Sequence, residues 1–336
     1  MADTPLRIGV LGAARIAPMA LLRPARQVPE VAVVAVAARD PARAQAFARK
    51  HGIARVHPSY EALLADPDID AVYNPLPNSL HCEWSIKALQ AGKHVLCEKP
   101  IASNAAEAER MAGVARETGK VLVEAFHWRY HPLAARMREI IDRGELGTVS
   151  HVEMHFCIPL LIPGDIRYRL DLAGGATMDV GCYAISILRF LAGAEPEVMR
   201  AEAKVLSPGI DRYMAADFRF PDGAGGRMTC ALLSPVLLRM TARVRGDRGE
   251  LTVFNPIAPH FYHRLTLRND TGTRTERLRG DATYTCQLRA FEAAVRRGTP
   301  VPTGPDHGVA NMKVIDAVYT KAGLPLRGAR SQSGVG

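Results

Sequence analysis

The chain opens with a short apolar run that leads directly into a turn of small residues. Residues 6–11 read LRIGVL, and Gly12, Ala14 and Ala17 then fill the three slots of a G-x-G-x-x-G fingerprint. Small residues let the backbone approach a pyrophosphate, and the amides at the start of the next helix receive its negative charge. Such a match alone is weak, because many small-residue turns bind nothing. The candidate dinucleotide contacts here are Gly9, Gly12, Ala13, Ala14, Arg15 and Ile16.

Short apolar runs alternate with alanine-rich amphipathic stretches over the first ~125 residues, which is the signal of βαβ units in a parallel sheet. The predicted strands are Arg7–Leu11, Val31–Ala37, Val72–Asn74, His94–Cys97 and Val121–Glu124. The predicted helices are Pro41–His51, Ser59–Ala65, Ser79–Ala91 and Asn104–Thr118. Asp40 is a plausible N-cap for the first of these helices, with Pro41 at its first position.

From Gly144 onward, apolar and polar residues alternate between Gly, Pro, Asp and Asn, which predicts an antiparallel sheet. Its strands are predicted at Val149–Ile158, Val198–Leu206, Met214–Phe220, Gly226–Leu233, Met240–Arg245, Leu251–Phe254, His263–Arg268 and Thr273–Leu278. Helices are predicted at Gly181–Leu191, Thr283–Arg296 and His307–Lys321. The predicted fold is therefore α/β. A doubly wound parallel sheet of the Rossmann type occupies 1–127, an α+β domain with a large, mainly antiparallel open sheet occupies 128–326, and 327–336 form a tail.

The composition is that of a soluble globular protein, with 48% hydrophobic and 23% charged residues in 336. We find no apolar run near the ~18 residues of a membrane span and no signal peptide, so we expect no membrane partner. The six cysteines form no C-x-x-C pair, which favours reduced thiols and a cytoplasmic location. The net charge of +9 is scattered, so we expect attraction of anionic small molecules but no nucleic-acid binding.

Cofactor selectivity is expected where the second strand ends, because an acidic residue there binds a ribose 2′-hydroxyl and an arginine suits a 2′-phosphate. The chain has Ala38 and Arg39 at this place, with Arg43 one helical turn further on. A guanidinium–phosphate contact contributes roughly 1.5–3 kcal/mol, so these three residues predict NADP(H). Two alternatives remain open. Asp40 could hold a ribose hydroxyl and permit NAD(H), or Arg39 could be a solvated surface charge.

Two more loops follow predicted strands of the parallel sheet, at the edge where a nucleotide lies. The first loop is kept extended by two prolines, and its candidate contacts are Pro75, Leu76, Asn78 and His81. A structural role for a lone histidine is at least as common. The second loop, Glu98-Lys99-Pro100, places a lysine at the tip of a central strand, where its neighbours would be the nicotinamide and the group that it reduces.

These motifs together resemble the Gfo/Idh/MocA oxidoreductase family, in particular its NADP-dependent sugar and diol dehydrogenases. The resemblance spans residues 8–322, and its segments are Gly9–Ala17, Pro75–His81, Glu98–Pro100, Glu124–Pro132, Gly174–Tyr183 and Gln287–Gly323. It implies a Rossmann domain and a C-terminal domain whose open sheet often forms a dimer interface, hence a homodimer or homotetramer. Ala14 and Ala17 depart from the strict glycine pattern.

The resemblance also implies the site residues. The family pairs the lysine of its E-K-P segment with a tyrosine or histidine four residues after an aspartate, which correspond here to Lys99, Tyr183 and Asp179. The resemblance places Trp128 and Arg129 at the nicotinamide end of the cofactor, with Glu98 beside Lys99. If Gly181 lies near a helix start, Asp179 is expected at its N-cap region and Tyr183 in its first turn.

Hydride transfer to a carbonyl requires a proton for the developing alkoxide. A tyrosine, with a reference pKa of about 10, suits this task only beside a cation. We therefore expect Tyr183 to be the general acid/base. Lys99 is expected to lower the pKa of Tyr183 and to bind the substrate oxygen. Asp179 is expected to orient a substrate hydroxyl or Lys99. The roles of Lys99 and Tyr183 could also be exchanged. Arg167 is a further candidate for substrate binding, or it pairs with a nearby aspartate.

The expected function is oxidation of a hydroxyl of a sugar, polyol or cyclic diol, or reduction of the matching carbonyl. Two alternatives remain: an enzyme that recycles a retained nicotinamide, as in a coupled oxidoreductase or redox-assisted glycoside cleavage, and a non-catalytic NADP(H) sensor. No metal site is expected. The histidine pairs at 127/131 and 151/155 have i,i+4 spacing, but strand or proline context argues against a shared helix face.

Overall fold

The computed structural model describes residues 4–162 and 164–328, which form two compact units. The first unit contains the chain up to Ala102, Ala106–His131 and Gly280–Val309. The second unit contains Ser103–Ala105, Pro132–Arg279 and the chain from Ala310 onward. The chain therefore does not divide at a single boundary near residue 127, because a later segment returns to the first unit.

A parallel sheet forms the centre of the first unit. Its strands are β1 (Leu6–Leu11), β2 (Val31–Ala37), β3 (Arg55–His57), β4 (Ala71–Asn74), β5 (His94–Cys97) and β6 (Leu122–Glu124). They lie in the order β3-β2-β1-β4-β5-β6, and every pairing is parallel. The strand order reverses between β1 and β4, which is the switch point where sheets of this type bind nucleotides. The predicted doubly wound parallel sheet is confirmed.

The helices begin and end where local chemistry predicts. They are α1 (Arg23–Ala25), α2 (Pro41–His51), α3 (Tyr60–Ala65), α4 (Asn78–Gln90), α5 (Ala105–Thr118), α6 (Pro132–Asp142), α7 (Cys182–Ala192), α8 (Thr283–Arg297) and α9 (Pro305–Lys321). Ser59 caps α3 through the amide of Ala62 at 3.1 Å. Gly52, at a φ of +72°, ends α2. A π-helical turn, Pro18–Leu22, precedes α1, where Pro24 supplies no amide for a regular α-helical bond.

The second unit contains a larger sheet. Its strands are β7 (Val149–Cys157), β8 (Glu197–Ser207), β9 (Ile210–Arg219), β10 (Gly225–Ala231), β11 (Arg239–Gly246), β12 (Gly249–Phe254), β13 (Arg264–Asn269) and β14 (Gly272–Glu276). They lie in the order β14-β13-β12-β11-β7-β10-β9-β8. Neighbours are antiparallel except β7 and β10, which are parallel with Met154 opposite Met228. The prediction of a mainly antiparallel sheet is confirmed.

Packing explains why α8 belongs to the first unit. Its Leu288 and Phe291 are buried in the same apolar cluster as Ile8, Val10 and Leu21. An amphipathic helix joins whichever sheet its apolar face can cover, and the sequence distance to that sheet has no influence on the choice. The sequence prediction also omitted β3, which is only three residues long, and α6, which at 11 residues is as long as α2.

One helical stretch, Leu170–Ala192, is long and apolar enough to cross a membrane by length and composition, with a mean hydropathy of 1.2. However, 83% of that window is buried inside the protein. Burial of this kind is typical of a core helix, and here the stretch contains α7, whose side chains are almost all buried.

Candidate active site

The turn after β1 keeps its backbone approachable because Gly12 has no side chain. Gly12 has a φ of +97°, and a Cβ there would lie 3.1 Å from Leu76 Cδ2 and 3.8 Å from the Tyr60 hydroxyl. Its amide donates to the carbonyl of Ala37 at 2.6 Å, which fixes the turn to β2. The following four residues are half-buried or exposed: Ala13, Ala14, Arg15 and Ile16. The predicted small-residue turn is therefore present at the switch point.

Gly9 has a packing role in addition to the one that the fingerprint predicts. It lies within β1, and a Cβ there would be 2.8 Å from Leu63 Cδ2 and 3.1 Å from Ile69 Cδ1. Its missing side chain makes room for α3 and for the loop after it. Its predicted cofactor contact stays a prediction.

The end of β2 presents two arginine side chains to solvent. Arg39 and Arg43 are exposed, and neither guanidinium is paired with a carboxylate within residues 4–162 and 164–328. Asp40, by contrast, caps α2, since its Oδ1 accepts hydrogen bonds from the amides of Ala42 at 2.9 Å and Arg43 at 3.4 Å. Only Oδ1 makes these capping bonds, so the alternative in which Asp40 also holds a ribose hydroxyl stays a prediction. Ala38, just before the arginines, is buried.

Tyr60 is a candidate cofactor residue that the sequence prediction missed. Its hydroxyl oxygen accepts a hydrogen bond from the backbone of Arg39, and burial raises the pKa of Tyr60 while Arg39 and Arg43 lower it. Its ring packs edge-on against Trp84 at 4.7 Å. No local motif marks this residue, because only the fold brings the start of α3 next to the end of β2.

Buried polar side chains hold the loop between β4 and α4 in place. Asn74 Oδ1 accepts from the amide of Leu76 at 3.3 Å, and Asn74 Nδ2 donates to Ser85 Oγ at 3.0 Å. Pro75 and Leu76 are buried, whereas Asn78 is half-buried. Because its polar groups are bonded within the protein, this loop is a stiff edge beside the Gly12 turn.

His81 connects two loops and is not open to a ligand. It is fully buried, with Nδ1 2.8 Å from the carbonyl oxygen of Pro100 and Nε2 2.7 Å from that of Leu76. Both ring nitrogens therefore face backbone carbonyls. We correct its predicted role as a cofactor contact to that of a support for the loops that follow β4 and β5.

One half-buried histidine predicts that acid destabilises the protein. Burial is the main cause that lowers the pKa of His94 to about 4, and His94 Nδ1 accepts from the amide of Val121 at 3.0 Å. An unfolded histidine has a pKa of about 6.5, so the unfolded chain binds more protons between these values. The contribution of His94 to stability is therefore complete above pH ~6.5 and is lost as the pH falls towards ~4.

Urea unfolding measured between pH ~7 and ~4 tests this expectation. The variant His94→Asn keeps an acceptor for the Val121 amide but does not titrate, so its free energy of unfolding should fall less over this range. Carboxylates with lowered pKa values, such as Asp70, lose their contribution only at lower pH. An unchanged pH slope in His94→Asn contradicts the assignment to this histidine.

Lys99 lies at the tip of β5, on a backbone held by the preceding carboxylate. Glu98 Oε1 accepts from the Tyr73 hydroxyl at 2.6 Å, and Glu98 Oε2 accepts from the amide of Lys99 at 3.3 Å. Glu98 is buried and Lys99 is half-buried, and the peptide bond to Pro100 is cis. The lysine side chain therefore starts from a fixed position at the edge of the parallel sheet.

The carboxylate of Glu124 also holds the turn that carries Lys99. Glu124 Oε1 accepts from the amide of Ile101 at 2.9 Å, and Glu124 Oε2 lies 3.3 Å from His307 Nδ1. A Cβ on Gly308 would come within 3.0 Å of the Ile101 side chain, so α9 approaches closely here. Together with the bond from His81 to Pro100, these contacts fix the turn that carries Lys99.

The residues after β6 are packed into the first unit. Trp128 is 1% exposed, whereas Arg129 is half-buried. The neighbouring His127 donates or accepts a hydrogen bond with Thr283 at 2.8 Å, and its ring lies 4.0 Å from that of Tyr284. Trp128 is therefore part of the core, and the cofactor contacts predicted for Trp128 and Arg129 stay predictions.

In the second unit, Arg167 forms ion pairs with two aspartates. Its Nε lies 2.8 Å from Asp179 Oδ2, and its Nη1 lies 3.1 Å from Asp165 Oδ1. Asp179 is the first of the charges that raise the pKa of Arg167. Two carboxylates thus face one guanidinium, and the local charge is net negative when all three groups are ionised. The structure brings two predicted substrate residues, Arg167 and Asp179, into direct contact.

Tyr183 follows Asp179 by one helical turn, but neither residue is at a helix start. A π-helical turn, Thr177–Gly181, runs directly into α7, and Gly181 has helical φ and ψ values of −66° and −34°. The expected N-cap position of Asp179 is therefore wrong, because the helical stretch begins before Thr177. Tyr183 is largely buried, with its ring edge-on to Phe156 at 5.8 Å.

Within the described part of the chain, no group of three or more His, Cys, Asp or Glu side chains is placed to hold a metal ion. His151 and His155 lie on β7 and flank Glu153, each 3.5 Å from one of its carboxylate oxygens. These contacts give the pair a structural explanation.

Two family descriptions match most of the chain. Residues 6–126 match the oxidoreductase family with an NAD-binding Rossmann fold, abbreviated GFO/IDH/MocA, and residues 134–252 match a GFO/IDH/MocA C-terminal domain. The two matches fall on the parallel sheet of the first unit and on the sheet of the second.

Full-length relatives and solved structures agree with these matches. D-xylose 1-dehydrogenase (NADP(+)) 2 of Haloferax volcanii is 36% identical over 318 residues, which cover 94% of this chain and 97% of the relative. Trans-1,2-dihydrobenzene-1,2-diol dehydrogenase of Sus scrofa is 34% identical over 226 residues, 67% of this chain and 66% of the relative. A 3-ketoreductase from Actinomadura kijaniata, in complex with NADP and TDP-benzene, superimposes with a TM-score of 0.87 at 31% identity, over 95% of this chain and 98% of its own.

Proposed function

Because this chain belongs to the Gfo/Idh/MocA oxidoreductase family, we propose that it is an NADP(H)-dependent oxidoreductase that interconverts a hydroxyl and a carbonyl group on a sugar, polyol or cyclic diol. The observation that carries the proposal is the turn of Lys99, which Glu98, Glu124 and His81 fix at the carboxyl edge of the nucleotide-type sheet. A rigidly held ammonium at this edge suits a reaction on an oxygen atom next to a bound nicotinamide.

The chain's own residues fit NADP(H). Gly12 has a φ of +97° and no side chain between the turn and Leu76, so the backbone of the turn is open to a pyrophosphate, and the accessible residues of the turn follow it. Arg39 and Arg43 offer two guanidinium groups without carboxylate partners within the described ranges, beside the hydroxyl of Tyr60. We propose that these three side chains bind the 2′-phosphate. The H. volcanii relative and the A. kijaniata complex, both named with NADP, support this choice.

The remaining proposed cofactor contacts complete this surface without the corrected His81. They are Gly9, Gly12, Ala13, Ala14, Arg15, Ile16, Ala38, Pro75, Leu76, Asn78, Glu98, Lys99, Trp128 and Arg129.

Replacing Arg39 with alanine should raise the dissociation constant for NADPH about ten- to a hundredfold, while that for NADH changes little. The reason is that only NADPH carries the 2′-phosphate that the guanidinium is proposed to bind. Arg49→Ala, an exposed arginine near the other end of α2, serves as the matched control and should affect neither cofactor. Fluorescence titration of both cofactors measures the effect. Equal losses for NADPH and NADH reject the phosphate assignment.

The proposed chemistry divides the work among three side chains. The bound cofactor supplies the hydride acceptor or donor. Oxidation of a hydroxyl also releases one proton, and we propose that Tyr183 accepts it and returns it in the reverse direction. Lys99 hydrogen-bonds the same substrate oxygen and favours the ionised phenol, while Asp179 orients a neighbouring substrate hydroxyl.

The ion pairs of Arg167 support a neutral substrate. Its guanidinium is shared by Asp165 and Asp179, so the local charge disfavours a carboxylate or phosphate near the reacting carbon. Carboxylates accept hydrogen bonds from sugar hydroxyls well. Because the Arg167 guanidinium is already shared by two carboxylates, we propose that the part of the substrate near Asp179 carries neutral hydroxyl groups, as in an aldose, an inositol or a cyclic diol.

A turnover screen tests the proposal against its alternatives. Aldoses, inositols and cyclic diols are incubated with NADP⁺ and with NAD⁺, and the absorbance of reduced nicotinamide is followed. A dehydrogenase accumulates NADPH. An enzyme that recycles a retained nicotinamide converts substrate without such accumulation, and a sensor binds NADPH without any conversion. Failure to bind NADP(H) contradicts all three functions.

We also propose that copies of the chain associate as a homodimer or homotetramer through the open sheet of the second unit. The outward side chains of β10, β11 and β12 include Arg227, Arg243 and Glu250, which form ion pairs within the sheet and remain partly exposed. Sedimentation velocity measures this directly. A cytoplasmic location remains part of the proposal, and the six cysteines, five of them buried and none of them in a disulfide, support it.

A further inference from the structure

A fully buried ion pair lies in the second unit, and none of the functions above uses it. Arg327 is 1% exposed and Asp211 is 0% exposed, and Arg327 Nη2 lies 2.9 Å from Asp211 Oδ1. The sequence prediction placed residue 327 at the start of a tail. That assignment is wrong for Arg327, because its guanidinium is enclosed and fully bonded, whereas 329–336 lie outside the described residues.

The Asp211 carboxylate is saturated with donors. Its Oδ2 accepts from the amide and from the hydroxyl of Thr177, each at 2.7 Å. Its Oδ1 accepts from the Tyr319 hydroxyl at 3.0 Å as well as from Arg327. Burial raises the pKa of Tyr319 well above its ordinary value, so the phenol remains a donor. A buried charge with this many partners is held in one position.

Arg327 in turn holds the backbone just before the π-helical turn. Its Nε donates to the carbonyl of Gly174 at 2.7 Å, and its guanidinium stacks 4.0 Å from the centre of the Tyr319 ring. A Cβ on Gly175 would lie 2.1 Å from Asp211 Oδ1, and Gly175 has a φ of +126°. Only glycine therefore permits this close approach of the backbone to the ion pair.

The same backbone reaches both partners of the Arg167–Asp179 ion pair. The amide of Gly175 donates to the carbonyl of Arg167 at 2.7 Å, and the amide of Asp179 donates to the carbonyl of Gly175 at 3.1 Å. Thr177, which Asp211 holds through two bonds, is the first residue of the turn that contains Asp179. A continuous set of short hydrogen bonds thus connects the buried ion pair to the start of the helix that carries Tyr183.

We propose that Asp211 and Arg327 are positioning residues, which fix residues 174–183 so that Asp179 and Tyr183 meet the substrate in a productive arrangement. The inference rests on the proposed function for its kinetic readout. Displacing catalytic groups by about 1 Å can cost a hundredfold in rate. A loosened ion pair should therefore lower kcat about ten- to a hundredfold and leave the dissociation constant for NADPH unchanged, because the proposed cofactor residues are in the first unit.

Arg327→Lys and Asp211→Asn are the test variants, and Arg189→Lys is the matched control. Arg189 is also a buried arginine of the second unit, where it binds Glu195 and Asn311 at the far end of α7. Each variant is assayed for kcat, KM and NADPH affinity with the substrate found by the screen. Hydrogen–deuterium exchange of the full chain gives a readout that does not depend on turnover. We expect faster exchange confined to residues 165–183 in the test variants, with kcat lowered only there.

A second experiment covers the case in which the test variants fold poorly. Guanidinium chloride at low millimolar concentration should restore kcat in Arg327→Ala, because the ion can occupy the vacated cavity, and should leave the kcat of the control Arg189→Ala unchanged. Normal kcat with faster exchange at 165–183 overturns the proposal, as does equal loosening of the whole unit in test and control variants. If the wild-type protein turns over no substrate, the proposed function fails. In that case the hydrogen–deuterium exchange alone decides whether the ion pair fixes this segment, because faster exchange should be confined to residues 165–183.

Discussion

Replacing Tyr183 with phenylalanine is expected to lower kcat by about 10²–10⁴-fold while the dissociation constant for NADPH changes by less than about twofold. The substitution removes only the hydroxyl that is proposed to exchange a proton with the substrate. The ring remains available for its edge-on contact with Phe156 at 5.8 Å, so the helix should keep its packing. The proposed cofactor residues are in the first unit, which explains why cofactor affinity should be retained.

Steady-state turnover with the substrate of the wild-type protein, combined with NADPH titration, measures both quantities. Tyr213→Phe is the matched control, because it removes a hydroxyl from a half-buried tyrosine on β9 that has no proposed role. Full activity in Tyr183→Phe would remove this phenol from the mechanism and leave Lys99 as the proton donor.

Replacing Lys99 with methionine is expected to lower kcat by a similar factor of about 10²–10⁴. Methionine preserves the length and apolar stem of the side chain, so the backbone contacts with Glu98 and Glu124 should hold. The variant loses the ammonium that is proposed to bind the substrate oxygen. A cation favours the ionised form of a nearby phenol, so its loss should move the half-maximal pH for oxidation upward.

The full pH–rate profile of oxidation separates this effect from a general loss of activity. Lys120→Met, a half-buried lysine in the turn before β6, is the control and should keep the wild-type profile. A lowered rate with an unshifted profile would mean that Lys99 binds the substrate but does not influence the proton acceptor.

Local patterns predicted most of the architecture. Strands such as β2 and helices such as α2 have strong periodicity and clear caps, and their predicted bounds agree with the structure. The α8 helix was predicted correctly as a helix but was assigned to the wrong domain, because its partner surface lies more than 250 residues away along the chain, around Ile8. Periodicity identifies an apolar face but does not identify the surface that this face covers.

The same difference between local patterns and distant contacts explains which residues of the candidate site could be predicted from the sequence. Gly12, Arg39 and Lys99 are recognisable because each lies in a short motif at a strand end, and the structure places all three there. Tyr60 lies in no motif and reaches the site only through folding. Glu124 lies in the family segment Glu124–Pro132, but its bond to the turn of Lys99 also forms only in the folded chain. The burial of His81 depends on distant neighbours as well, which is why the sequence alone predicted a contact for it that the structure corrects.

The capping role of Asp40 has a consequence for changing which coenzyme the protein uses. Its Oδ1 accepts from the amides of Ala42 and Arg43, so replacing Asp40 to change the coenzyme would also remove the cap of α2. A redesign would have to introduce a new carboxylate at Ala38 and retain the aspartate that starts the helix. A single added side chain at position 38 would therefore alter the choice of coenzyme without removing the cap of α2.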